Sequence, residues 1–175
     1  QQLDWFSEEE YLGRLSRKSR AHVRKDVLKT QSCFDVEIKE TLEAEELFRS
    51  YQLYQGVSQN NLAFNNVEFP FRLFESMNHA PNWVFILFRL KGSLLDSEDE
   101  SLVGVAFTYK TQQSYCGVLL GMDYRYSREY KLYKHILYQA TMRAWALNKQ
   151  RIYLGVTAGQ EKKNDRAKHN PKGWF

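Results

Sequence analysis

Three apolar runs in quick succession, then one long helical stretch and a fourth run, constrain this chain more than any other feature. The three runs are Trp83 to Leu90, Leu102 to Tyr109 and Tyr115 to Gly121. The first link, Lys91 to Ser101, is acidic and reads as exposed, and the second, Thr111 to Ser114, is a short turn. Strands joined so closely pair antiparallel, which makes a meander. From about Ser127 to Asn148 the residues Tyr133, Ile136, Leu137, Ala140, Ala144 and Leu147 recur at helical spacing, and Arg151 to Val156 reads as a strand again. A strand–helix–strand crossover sets its two strands parallel. Tyr115–Gly121 and Arg151–Val156 are therefore expected to lie parallel and to diverge at their carboxyl ends. The fold class is α/β (α+β): a mixed, mostly antiparallel central sheet flanked by helices. Gly104, Gly117 and Gly121 mark expected bulges or close backbone approaches.

Upstream, Ser7 and Glu10 fit a capping box, and Glu8, Glu9 and Glu10 suit the positive end of a helix. Tyr11, Leu15, Ser19, Val23 and Val27 follow at spacing four, which predicts one extra helix in front of the first strand. Its other face is basic, with Arg14, Arg17, Lys18, Arg20, Arg24 and Lys25. Cys33 to Lys39 alternates apolar and charged residues, as a half-exposed strand does. Thr41 is expected to cap a helix with apolar residues Leu47, Tyr51 and Tyr54 and an end at Gly56. Ser58 to Asn66 reads as a loop, and Phe69 to His79 as a shorter helix with Pro70 in its first turn. Beyond the last strand, about Gln160 to Lys168 reads as a helix, and Gly173 to Phe175 begins an apolar stretch.

A 43% hydrophobic and 26% charged composition excludes disordered and fibrous classes. No apolar run approaches the roughly 20 residues of a membrane helix, and no secretory signal opens the chain. A cytoplasmic protein without a membrane partner is expected. The 175 residues suit one domain, 1–175, and the absent initiator Met suggests a piece cut from a longer protein or a processed chain. Cys33 and Cys116 are expected as free, buried thiols, and no Cys/His spacing suits zinc, so no metal is expected. His22, His79 and His135 are expected to face solvent. The net charge of +4 is too mild to name a partner.

The order of elements resembles that of the GNAT acyltransferase superfamily after one extra amino-terminal helix, over nearly the whole chain. The family's final strand is missing or lies beyond Phe175. "YLGRLSRKSRAHVRKDV" (Tyr11 to Val27) resembles the basic helix before the first strand in the Fem-like, peptidoglycan-related branch. "GMDYRYSREYKLYKHILYQATMRAWALNKQRIYLGVTAGQEKKNDRA" is similar to that branch from its fourth strand onward, with Gly155 in the fifth strand and Lys162 after it. One departure is plain. GNAT enzymes carry Arg/Gln-x-x-Gly-x-Gly/Ala before the long helix. Here Asp123, Tyr124, Arg125, Tyr126, Ser127 and Arg128 include no glycine, and Fem-like domains also lack that motif.

The resemblance implies acyl transfer from acetyl-coenzyme A, or another acyl-coenzyme A, to the amine of a small molecule or peptide. The reaction is direct attack in a slot between the fourth and fifth strands. Backbone groups of Leu119, Leu120 and Gly121 would bond the pantetheine arm. The amino end of the long helix, near Ser127 and Arg128, would hold phosphate, with Arg125 and Arg128 adding charge-assisted bonds. Tyr124 and His169 are the catalytic candidates, and Tyr126 and Tyr153 lie in neighbouring segments. His169 falls where many GNAT enzymes place a thiolate-protonating Tyr, and "NDRAKHNPKGWF" resembles the family's Asn-x-x-Ala and Gly-Phe ending. Read without the resemblance, Ser127 merely caps a helix and both arginines are solvated. Two other readings stay open. One is Fem-like aminoacyl transfer from transfer RNA, contacted by the basic helix. The other is a noncatalytic GNAT-like module that binds a partner.

Overall fold

Alternating apolar residues need two covering layers, and the chain supplies both. The computed structural model describes residues 1–60, 68–96 and 100–155. Strands β1 (Phe34–Lys39), β2 (Trp83–Leu90), β3 (Leu102–Lys110), β4 (Ser114–Met122) and β5 (Arg151–Leu154) form one sheet in that spatial order. The first four pair antiparallel, and β5 joins β4 in parallel, as the crossover rule requires. Residues Gln1 and Leu3 run along the other edge of β5. The Gln1 nitrogen donates to the Ile152 carbonyl, Ile152 N–H donates to Gln1, and Leu3 N–H donates to Gln150, each at 2.9 Å.

Helices α3 (Ala44–Asn60) and α4 (Phe71–His79) cover one face. There Phe85, Leu87, Val105 and Phe107 meet Leu53, Tyr54, Phe74 and Met77. Helices α5 (Tyr124–Tyr130) and α6 (Leu132–Ala146) cover the other, where Ile86, Phe88, Ala106 and Tyr115 meet Leu132, Ile136 and Ala140. Inside this layer Thr108 donates to the Val84 carbonyl at 2.6 Å and so accepts from the Tyr115 hydroxyl at 2.7 Å. Both buried hydroxyls are thereby satisfied.

The expected single first helix is three pieces: α1 (Glu8–Arg14), α2 (Arg17–His22) and a π-helical turn, Val23–Leu28. Leu15 is extended and Ser16 caps α2, accepting from Ser19 N–H. The physical reason lies in the spacing. Steps of four drift about 40° each on a straight α-helix, or about 160° over four steps. The break and the wider π turn absorb that drift, so Tyr11, Leu15, Ser19, Val23 and Val27 are all buried, packing with Tyr138 behind α6.

Other boundaries also move. The long helix expected from Ser127 is broken at Lys131, which is left-handed (φ 54°), and its first part begins at Tyr124 with Asp123 as the cap. The Lys131 ammonium donates to the Arg128 carbonyl at 2.7 Å and closes the short helix. Thr41 does not begin α3. Instead Glu46 reaches back to Glu43 N–H at 3.3 Å, and the helix runs past Gly56 to Asn60. The rest of the Ser58–Asn66 loop, Val156, the Gln160–Lys168 helix and the Gly173–Phe175 stretch lie outside the described residues. Cys33 stands on a 3-10 turn before β1 and Cys116 on β4; both are free thiols, half-buried instead of buried.

His135 corrects an expectation. It is 1% exposed, wedged edge-on against Phe34 at 4.9 Å, and its Nε2 lies 2.8 Å from Thr30 Oγ1. Thr30 already donates to the Asp26 carbonyl, so the imidazole Nε2–H must donate to Thr30. Helical periodicity misplaced it because the π turn adds a second layer over that side of α6. Burial lowers its pKa from 6.5 to about 4. The folded state therefore binds fewer protons than the unfolded one. This contributes roughly 3 kcal/mol of stability at neutral pH, which is lost as pH falls from 6.5 toward 4.

Two predictions follow from packing. Urea titrations at pH 7 and pH 4 should show His135→Gln losing about 3 kcal/mol less than wild type across that interval; equal losses would remove His135 as the acid-sensitive group. At Gly121 a Cβ would lie 2.5 Å from Tyr54 N and 2.7 Å from Leu53 C, both backbone atoms that cannot turn aside. Gly121→Ala should therefore destabilise by about 3 kcal/mol, the upper end for overpacking. Gly13→Ala, with nothing within 4 Å, should not destabilise. Similar denaturation midpoints for the two variants would contradict the contact.

Candidate functional site

The site is built by an extra residue in β4. Thr108 pairs with Gly117 and Phe107 with Leu119, so Val118 has no partner on β3 and forms a bulge. A bulge bends its strand and increases its twist. On the other edge, pairing with β5 runs from Ser114↔Arg151 to Gly117↔Leu154 and closes with Gly155 N–H donating to Gly117 O at 3.2 Å. β4 continues to Met122. The described pairing with β5 ends beside the bulge, and no described β5 residue pairs with Val118, Leu119, Leu120 or Gly121.

An open cavity of about 440 Å³ lies beside the bulge, lined by Gln1, Cys116, Val118, Tyr153 and Leu154 among others. Alternation puts Cys116 and Tyr153 on the face opposite Tyr115 and Ile152, whose side chains pack toward α6. Val118 is 44% and Tyr153 52% exposed, so the cleft presents apolar surface to solvent. Burial raises the Cys116 thiol above its ordinary pKa, so it is a neutral lining group at pH 7. Leu119 packs with the α3 side and Leu120 with the α6 side, which leaves their backbone edge toward β5. Gly121 is buried, with its α-carbon against the backbone of α3.

The end of β4 is electrostatically closed. Asp123 Oδ1 accepts from Arg125 N–H at 3.0 Å, and the Arg125 guanidinium donates to Oδ2 at 2.7 Å. Arg49 stands 3.9 Å away on the same carboxylate, while also contacting Glu100 at 2.5 Å and the Leu102 carbonyl at 3.2 Å. Burial pushes the Asp123 carboxyl up, but the Arg125 bonds and the Arg49 charge together hold it below its ordinary pKa.

The phosphate-holding residues expected from sequence are not brought together. Arg125 is engaged by Asp123 and lies 5.5 Å over the Tyr126 ring. Ser127 is inside α5: its N–H donates to the Asp123 carbonyl at 3.0 Å, and its hydroxyl points to Met122 Sδ at 3.3 Å. Arg128 belongs to the last turn of α5, the wrong end for an anion. Tyr126 is buried, and its hydroxyl accepts from Asp96 N–H at 3.2 Å. Tyr124 is exposed at the first position of α5, and burial of its hydroxyl raises the pKa above 10. His169 lies outside the described residues. Sequence reasoning missed Asp123 and Val118. An Asp directly before a helical stretch is itself a cap signal, and the bulge adjoins Gly117, one of the glycines expected to mark a bulge or a close approach. Among the described residues no His/Cys/Asp/Glu group suits a metal ion, and no helix is long and apolar enough to cross a membrane.

No family model and no curated protein matches the chain. Solved structures do. An aminoglycoside acetyltransferase from an uncultured soil metagenomic sample, in complex with sisomicin, is 10% identical, with 83% of this chain and 96% of that chain covered at a TM-score of 0.50. A GNAT family acetyltransferase from Streptococcus pneumoniae TIGR4 is 17% identical, with 73% and 79% covered at a TM-score of 0.39. The likeness is one of fold. With its mostly antiparallel five-stranded sheet, one parallel pair at β4–β5 and helices on both faces, the chain shares the fold of that aminoglycoside acetyltransferase.

Proposed function

We propose that the chain is an N-acyltransferase that moves an acyl group, such as acetyl, from an acyl-coenzyme A thioester to a primary amine in the β4–β5 cleft. The observation that carries this is the apolar cavity beside the Val118 bulge, at the parallel β4–β5 pair. An extended thioester arm can lie along the backbone edge of Val118 to Gly121 as an added strand does, and Val118 and Tyr153 offer it apolar surface. The amine nitrogen bonds to the thioester carbon, the carbon–sulfur bond breaks, the amine loses a proton and the sulfur gains one. Tyr124 is protonated at neutral pH like any tyrosine, and burial shifts it further in that direction, so it suits proton donation and not abstraction. The Fem-like branch remains part of this proposal through the basic α2 segment.

That segment also favours a second reading, a donor carried on transfer RNA. Arg17, Lys18, Arg24 and Lys25 are exposed along one stripe and form no ion pair with another described residue. Binding through such a stripe would weaken steeply with salt.

Release of free thiol from acetyl-coenzyme A, followed with a panel of small amines, tests the first reading. Val118→Arg, at an exposed position, should fill the cleft, weaken donor binding by at least about tenfold and leave the melting temperature unchanged. Donor binding that survives Val118→Arg would place the site elsewhere. No stabilisation by acetyl-coenzyme A, together with salt-sensitive RNA binding, would favour the second reading.

A further inference from the structure

A diphosphate-bearing donor needs cationic or N–H donors free to receive it, and among the described residues the cation nearest the end of β4, Arg125, is engaged. The carboxylate of Asp123 has taken it. Its Oδ1 accepts from the Arg125 backbone N–H at 3.0 Å and from Arg125 Nε at 3.1 Å. Its Oδ2 accepts from Arg125 Nε at 3.3 Å and from the terminal guanidinium nitrogen at 2.7 Å, with an Arg49 nitrogen 3.9 Å away. The side chain is only 12% exposed, so its charge is fixed in place and not a mobile surface carboxylate. Ser127 N–H is spent inside α5, and no glycine lets a ligand approach the turn. Farther back in β4 the chemistry reverses, since the cleft at Val118, Tyr153 and Leu154 is apolar.

We propose that Asp123 is a specificity-determining residue: by holding Arg125 and standing as a negative charge at the end of β4, it makes the donor bind through its apolar thioester arm and gain nothing from a diphosphate. This rests on the acyl-transfer reading above and names the class of donor handle which that site recognises. The handle is an acyl thioester of a pantetheine-like arm, whatever the arm is attached to. Acetyl-coenzyme A is one carrier of that arm, and acetyl-pantetheine without phosphate or nucleotide is the minimal one.

Calorimetric titration of both thioesters into the wild-type chain, at low and moderate salt, tests the proposal. The expected dissociation constants agree within about threefold and change little with salt. Arg125→Ala should leave both nearly unchanged. Asp123→Asn keeps a good helix cap but removes the charge and loosens Arg125. It should shift the ratio of the two constants by about tenfold toward acetyl-coenzyme A, the value of one freed charge-assisted bond. Wild-type binding of acetyl-coenzyme A more than tenfold tighter than acetyl-pantetheine would overturn the role of Asp123 and leave the acyl-transfer reading standing. An unchanged ratio in Asp123→Asn would do the same. Failure of the wild type to bind either thioester would overturn both.

Discussion

The contact on which the site depends is one of backbone against backbone. At Gly121 the α-carbon of β4 faces the main chain of α3 at Leu53 and Tyr54, with no room for a side chain between them. A helix that approaches a sheet this closely has its height and direction set by peptide geometry and not by side-chain choice. From that seat Arg49 reaches the Leu102 carbonyl and the vicinity of Asp123, and so ties the start of β3 to the end of β4. Tyr54 is carried to where its hydroxyl accepts from Phe69 N–H, which orients the approach to α4. The same seat places Glu46 where it binds both Lys39 and Arg89, each at 2.6 Å, so α3 is also tied to β1 and β2. Much of one layer is therefore referenced to a single glycine.

The two edges of β4 carry different tasks. Toward β3 it is fully paired apart from Val118, which holds the strand in the core. Toward β5 the pairing among the described residues runs from Ser114 to Gly117. The bulge at Val118 bends the strand while the core stays packed, because Leu119 and Leu120 still bury their side chains on opposite faces.

The sheet was largely legible because its signals are local. Link lengths of the meander and the apolar content of the crossover helix determine strand order and direction, and the pairings follow them. Gly121 could be marked as a close approach for the same reason. Helix continuity was less legible. Lys131 in a left-handed conformation has no compositional signature, since glycine or asparagine usually occupies such a position. The π turn at Val23–Leu28 is invisible to a periodicity search that assumes one pitch. His135 was misplaced because its burial depends on a layer over a hundred residues earlier in the chain. In the site, charges could be counted from sequence but not their pairing: Arg125 read as available cation, and only the fold shows Asp123 holding it.

The ladder between Gln1–Leu3 and β5 joins groups separated by 151 positions, from Gln1 to Ile152. Closing so long a loop costs entropy that grows with the logarithm of its length, and nothing local compensates until the whole sheet exists. The meander, built from neighbours, can assemble early. β5, a strand of only four residues, is stabilised on both edges by segments that must already be in place. Its docking is therefore a late event with a high contact order. During synthesis the first residues leave the ribosome long before their partner strand does. For that interval the free edge of β4 is an open template for pairing with other chains. The same strand that lines the cavity is the one that leaves the nascent chain most exposed to misassembly.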